Sequence, residues 1–197
     1  MPSGPTLQAA IDELYRIAVK EGKSTSTVRL KGLADLCLGE LSRRGVMGAS
    51  AEDPIEGWVR TKDWDVAQRV GGRVRLAISL KSMLANLGGA VPNRSDDLLG
   101  EAADIQLRYP ETVIGYVIIM NEGADTPPGP GGKWIGTFES RLSKIATRRA
   151  PLWVQGLIEA AVVVRVDFSK GPRMCSRADV LAPFFDKLVA EYRVRIE

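Results

Sequence analysis

Apolar residues recur every three or four positions from Leu7 to Lys20, at Leu7, Ala10, Ile11, Leu14, Ile17 and Ala18. That spacing predicts an amphipathic helix ended by Gly22. A second helix is expected from about Ser26 to Arg44, with Leu30, Leu33, Ala34, Cys37, Leu38 and Leu41 inward and Gly45 as its C-terminal cap. Between Val46 and Lys62 the periodicity fails, and Pro54 and Gly57 punctuate a connection with a short strand around Trp58. Trp64 to Val70 and Arg73 to Leu80 then read as two strands, and Gly71-Gly72 between them suits the positive φ angles of a tight hairpin turn.

After Lys81, Gly88, Gly89 and Pro92 mark a turn, and a helix is expected from about Ser95, as N-cap, to Arg108. Thr112 to Asn121 is almost wholly apolar and predicts a strand buried on both faces. A loop rich in Pro and Gly, from Glu122 to Lys133, precedes a helix over about Thr137 to Thr147. Ala160 to Val166 is a further strand, and Ala178 to Tyr192 a closing helix bent or restarted at Pro183. Strands alternating with helices predict one α/β domain over 1–197: a helical N-terminal part (1–45), a core (58–121), and C-terminal helices with a strand (122–197).

A chain of 197 residues with 45% hydrophobic content buries a full core. Its longest apolar runs, Val113 to Met120 and Leu157 to Val164, fall far short of the roughly 20 residues that span a bilayer. Met1 to Thr6 lacks the basic-then-apolar pattern of a secretion signal, so the expected location is the cytoplasm, with no membrane partner. Cys37 and Cys175 stand alone in their segments and read as ordinary thiols. Histidine is absent, which removes the usual base of serine and cysteine hydrolases and most zinc sites. Any catalysis rests on carboxylates, lysine, hydroxyls or a hard metal ion. The net charge of +3 permits a nucleic-acid partner without requiring one.

Side chains alternate along a strand, so Ser79 and Lys81 share a face, as do Asp63 and Asp65 on the partner strand. A hairpin at Gly71-Gly72 lays these strands side by side and brings a carboxylate, a hydroxyl and an ammonium together. Asp65 followed by Ser79-Leu80-Lys81 resembles the PD-(D/E)xK motif of the restriction endonuclease-like nucleases, in which an acid on one hairpin strand precedes an acid, any residue and a lysine on the next. Ala77-Ile78-Ser79-Leu80-Lys81-Ser82-Met83, with Asn93-Arg94 and Arg108-Tyr109-Pro110 after it, is also similar to that superfamily, and the resemblance spans roughly Leu33 to Met120. It implies a central mixed sheet of four to five strands flanked by helices. It also implies a DNA endonuclease using Mg2+, with Mn2+ as a substitute: Asp65 and the Leu80 carbonyl ligate the metal and Lys81 stabilises charge.

Ser79 departs from the pattern where the family has its second acid. Either Glu101 or Asp97, four residues apart on the following helix, completes the site, or the fold is inactive and only binds DNA or a partner. Glu40 on the preceding helix is a further candidate ligand. For Asp97 and Glu101 a solvated helix face paired with Arg94 or Arg108 explains the same residues, and for Glu40 so does a helix surface. Lys133 and Trp134, at the end of the Gly/Pro loop, are candidate DNA contacts, against ordinary packing for the tryptophan. Arg141, Lys144 and Arg148 have one-face helical spacing suited to phosphates or simply to water. The same reading expects double-stranded DNA as substrate, a homodimer that cuts both strands, and a methyltransferase encoded nearby if the system is one of restriction. The glycines near Gly71 and Gly131 lack the spacing of a phosphate or dinucleotide loop, which argues against a small-molecule enzyme.

Overall fold

The computed structural model describes residues 5–126, 133–150 and 153–196. It is an α/β fold with one six-stranded mixed sheet in the sequential order β1-β2-β3-β4-β5-β6. The strands are β1 (Ala49–Glu56), β2 (Thr61–Val70), β3 (Arg73–Met83), β4 (Val113–Asn121), β5 (Ala160–Asp167) and β6 (Arg173–Met174). The first three run antiparallel, β3-β4 and β4-β5 are parallel, and β6 returns antiparallel. The helices are α1 (Leu7–Tyr15), prolonged by a π-helical turn (Arg16–Lys20), α2 (Lys31–Arg43), α3 (Leu87–Arg108), α4 (Trp134–Ile145) and α5 (Ala182–Ile196).

Chirality decides which helix covers which face. The β3-α3-β4 and β4-α4-β5 crossovers step the same way across the sheet, and right-handed crossovers of that kind put both helices on one face. Leu98 and Ile105 of α3 and Phe138 and Leu142 of α4 accordingly pack with Ala77, Tyr116 and Ile118 in one core cluster. α1, α2 and α5 cover the opposite face, where Ile11, Leu33 and Phe185 meet Val66, Ile78 and Val117. β4, flanked on both sides by parallel neighbours, is buried from Val113 to Met120, as its apolar run predicts. Gly115 lets α5 approach closely, since a Cβ there would lie 2.8 Å from Phe184 Cζ.

Several expectations are corrected. The strand before the hairpin is Ala49–Glu56, not a piece around Trp58, because it is an edge strand whose only fully buried position is Ile55, leaving no alternation to read. α3 starts at Leu87, eight residues before Ser95. Gly88 fits because a Cβ there would lie 3.1 Å from the Trp134 indole, and Ser95 is no cap but a buried hydroxyl donating to Val91 O at 3.0 Å. α4 begins at Trp134, three residues earlier than expected, where the Asp125 carboxylate accepts the Trp134 N–H at 2.8 Å. Pro183 is the second residue of α5, where a missing N–H costs nothing, so the helix starts beside it instead of bending. The Pro127 to Gly132 segment of the Gly/Pro loop lies outside the described residues. Among the described residues no helix is long and apolar enough to cross a membrane.

Candidate active site

The hairpin expected at Gly71-Gly72 is present, with φ of 57° and 79° at the two glycines. A bulge then sets its chemistry. Val70 pairs with Arg73 and Arg69 with Val74, but Gln68 pairs with Leu76, so Arg75 is an extra residue in β3. Continued at the unshifted register Asp65 would lie opposite Ile78; one extra residue moves it on to the Ser79–Leu80 step of β3.

Regular pairing of β2 with β3 stops at Val66 and Ile78, and the Asp65 side chain continues it, Oδ2 accepting the Leu80 N–H at 2.8 Å. Strand alternation breaks at this point. Trp64 and Ala67, three residues apart, both pack into the α3/α4 cluster, and Glu52, across from Asp65 on β1, has a φ of 52°. Asp65 thus sits where regular β2–β3 pairing ends, and it lines a groove shared with α2. Burial pushes its carboxyl above the usual carboxylate range, although the Leu80 amide and the charges of Lys81 and Lys62 pull the other way.

The broken alternation also turns Lys62 into the site. Its ammonium lies 2.6 Å from Glu101 Oε2, 3.5 Å from Ser79 Oγ and 4.1 Å from the centre of the Trp64 ring. Burial pulls the lysine below its ordinary range, opposed by the Glu101 carboxylate. Ser79 is fully buried, and beside it on β4 is Tyr116, whose buried hydroxyl has no hydrogen-bond partner among the described residues. Lys81 shares the Ser79 face and, among the described residues, forms no ion pair. Arg29 approaches from the turn before α2, its Nε 3.2 Å from Ser82 Oγ. Burial and the nearby Arg94 charge both act to lower its pKa.

Ser79 and Glu101 therefore meet at the Lys62 ammonium, and Asp65 joins β3 next to them through the Leu80 amide, one residue before Lys81. Asp97 is not part of it: it is exposed, pairs with Arg94 at 2.9 Å, and lines a separate hollow with Asn86 and Asn93. Glu40 is not either, since Arg43 and Arg44 hold its carboxylate near α5. The α2 acid that shares a groove with Asp65 is Asp35, in a cleft of about 670 Å³ also lined by Lys31, Glu52 and Asp63. Lys62, Arg29 and Asp35 carried no motif. Lys62 was obscured by the break in strand alternation, and Arg29 and Asp35 sit in helical turns where a charge gives no cue to a site.

The basic face expected on α4 does not survive. Arg148 is 2% exposed, donating to Glu159 Oε1 and Thr112 O at 2.9 Å and to Pro110 O at 2.6 Å, so its guanidinium is structural. Arg141 is half-buried, 3.4 Å from Ser95 Oγ, whereas Lys144 is exposed in the last turn of α4. Lys133 is exposed at the start of α4, the end at which β3 and β4 finish, but Trp134 packs against the core cluster. Trp64 is likewise core, 2% exposed, while Trp58 is 68% exposed in the β1–β2 turn.

The donors gathered here are hard oxygens: two carboxylates, a hydroxyl and the backbone. No group of three or more acidic or thiol side chains able to hold a metal ion occurs among the described residues. Magnesium is commonly held by only one or two carboxylates, with water and substrate phosphate completing its shell, so Asp65 and Glu101 fit that chemistry. No protein-family model matches the chain, and a search of curated proteins finds no match.

Proposed function

We propose that this protein is a metal-dependent DNA endonuclease with a restriction endonuclease-like core, acting in restriction or a related defence system. One observation carries the reading: a bulged hairpin seats the Asp65 carboxylate on the Leu80 amide, between Ser79 and Lys81 in β3, while α3 delivers Glu101 to the Lys62 ammonium that also meets Ser79. Hairpin, crossover helix and buried parallel strand follow in the order that the resemblance implies. Glu101, not Asp97 or Glu40, takes the place of the acid missing at Ser79.

In this reading Asp65 and Glu101 hold Mg2+, or Mn2+ in its place, with the Leu80 carbonyl as a further oxygen. The ion supplies Lewis acidity and a more acidic water for phosphodiester hydrolysis. Lys81, free of ion pairs among the described residues, neutralises charge developing on the phosphate, and Arg29 and Lys133 meet the DNA backbone. The groove at Asp65 is mostly acidic, so a polyanion enters it favourably only together with cations. A homodimer places two such sites on the two strands.

Supercoiled plasmid incubated with the protein tests this. Nicking or linearisation with Mg2+, abolished by a chelator and by Lys81→Ala, is expected; no cleavage with Mg2+ or Mn2+ contradicts it. A second reading, a nuclease-like subunit that binds DNA without cutting, is favoured by Lys62, whose ammonium already neutralises Glu101. It predicts DNA binding that is indifferent to divalent metal.

A further inference from the structure

The Lys62 ammonium touches two oxygen donors of the candidate site at once, Glu101 Oε2 at 2.6 Å and Ser79 Oγ at 3.5 Å, with the Trp64 ring face closing a third side at 4.1 Å. Both partners are well shielded, with 18% and 11% of the lysine and glutamate side chains exposed. A monovalent cation thus stands among the groups a divalent cation would use. Holding both on Glu101 is costly, because like charges a few ångströms apart in a shielded site repel strongly.

We propose that Lys62 is a built-in counter-ion that competes with the divalent metal for Glu101 and restrains metal loading until it is displaced. The proposal rests on the metal-site reading above. Lysine suits such a role: a compact charge on a flexible four-carbon stem swings away without moving β2, whereas a planar guanidinium forms a firmer carboxylate pair. The Trp64 face supports the ammonium by cation–π attraction in the metal-free state.

Calorimetric titration of Mn2+ into the wild-type chain, Lys62→Gln, Lys62→Arg and Asp65→Asn, without DNA, tests this, with bound Mn2+ counted independently by electron paramagnetic resonance. Lys62→Gln is expected to bind at least about tenfold more tightly than wild type, since it removes one positive charge from the ligand shell. Lys62→Arg keeps the charge and is expected not to gain affinity. Tight binding by Lys62→Gln alone also supports the counter-ion role. Equal affinity for wild type and Lys62→Gln, with binding lost in Asp65→Asn, overturns the proposal but leaves the metal site standing. Failure of all four proteins to bind Mn2+ overturns both. Melting curves confirm that each variant is folded before it is scored, and Lys62→Met replaces Lys62→Gln if the amide variant does not fold.

Discussion

Asp65 Oδ2 accepts the Leu80 N–H at 2.8 Å, so a side chain does what the β2–β3 ladder would otherwise do one step beyond its last regular pair. The bond both holds the carboxylate in place and satisfies a buried amide. Asp65→Asn keeps an oxygen acceptor and is expected to leave the fold intact while removing cleavage. Asp65→Ala orphans the Leu80 amide and is expected to cost a further 1–3 kcal/mol or so of stability. Thermal and chemical unfolding of the two variants, run beside plasmid cleavage, separate these effects.

Arg148 and Glu159 form a buried pair at 2.9 Å, and Arg195 of α5 adds a second cation to the same oxygen at 2.6 Å. Glu159 Oε2 accepts the Ile114 N–H as well, so one carboxylate ties together α5 and the starts of β4 and β5. Glu159→Gln strands two buried guanidiniums and is expected to lose about 3–5 kcal/mol in urea unfolding. A loss under 1 kcal/mol would mean the network contributes little to the fold.

Glu111, just before β4, pairs with Arg73 at 2.5 Å and with the bulged Arg75 at 3.1 Å. Burial acts to raise its pKa, but the Arg73 hydrogen bond and the charges of Arg73 and Arg75 outweigh it and hold the carboxyl below the usual range. A carboxyl depressed in the folded state contributes stability above its unfolded pKa and loses it as pH falls through the folded value. Glu111→Gln should therefore be less stable than wild type at pH 7, with the gap closing as pH drops below about 4. A gap independent of pH in melting experiments would refute the ion-pair account.

Much of the fold was legible in the sequence because its signals are local. The period of α1 and α2, the Gly71-Gly72 turn and the apolar run of β4 each survive as expected. What was lost depends on tertiary context. β1 is an edge strand with nothing to alternate, and the early start of α3 includes Gly88, whose missing side chain leaves room for Trp134. At the site, Asp65, Ser79 and Lys81 were readable from strand spacing, yet the register that unites them depends on Arg75 as an unpaired residue, for which the sequence offers no cue. Lys62 was missed for the same reason, since two-residue alternation fails between Trp64 and Ala67. Arg148 misled because helical spacing reveals which residues share a face, not whether the chain still follows the helix beyond Ile145.

Lys133, exposed at the start of α4, is expected to contact phosphate and not bases. Lys133→Ala should weaken DNA binding evenly across sequences and reduce the salt-dependence slope by about one. A change in sequence preference, measured on a panel of duplexes, would instead assign it to recognition.

The most direct test is single-turnover cleavage of duplex DNA with Mg2+ by the wild-type chain and by Lys81→Met, both shown to be folded. A drop of about 10²–10³-fold in the cleavage rate with DNA affinity nearly unchanged is the predicted result. Equal rates in the two proteins, or no cleavage by the wild type in Mg2+ or Mn2+, would contradict the nuclease assignment.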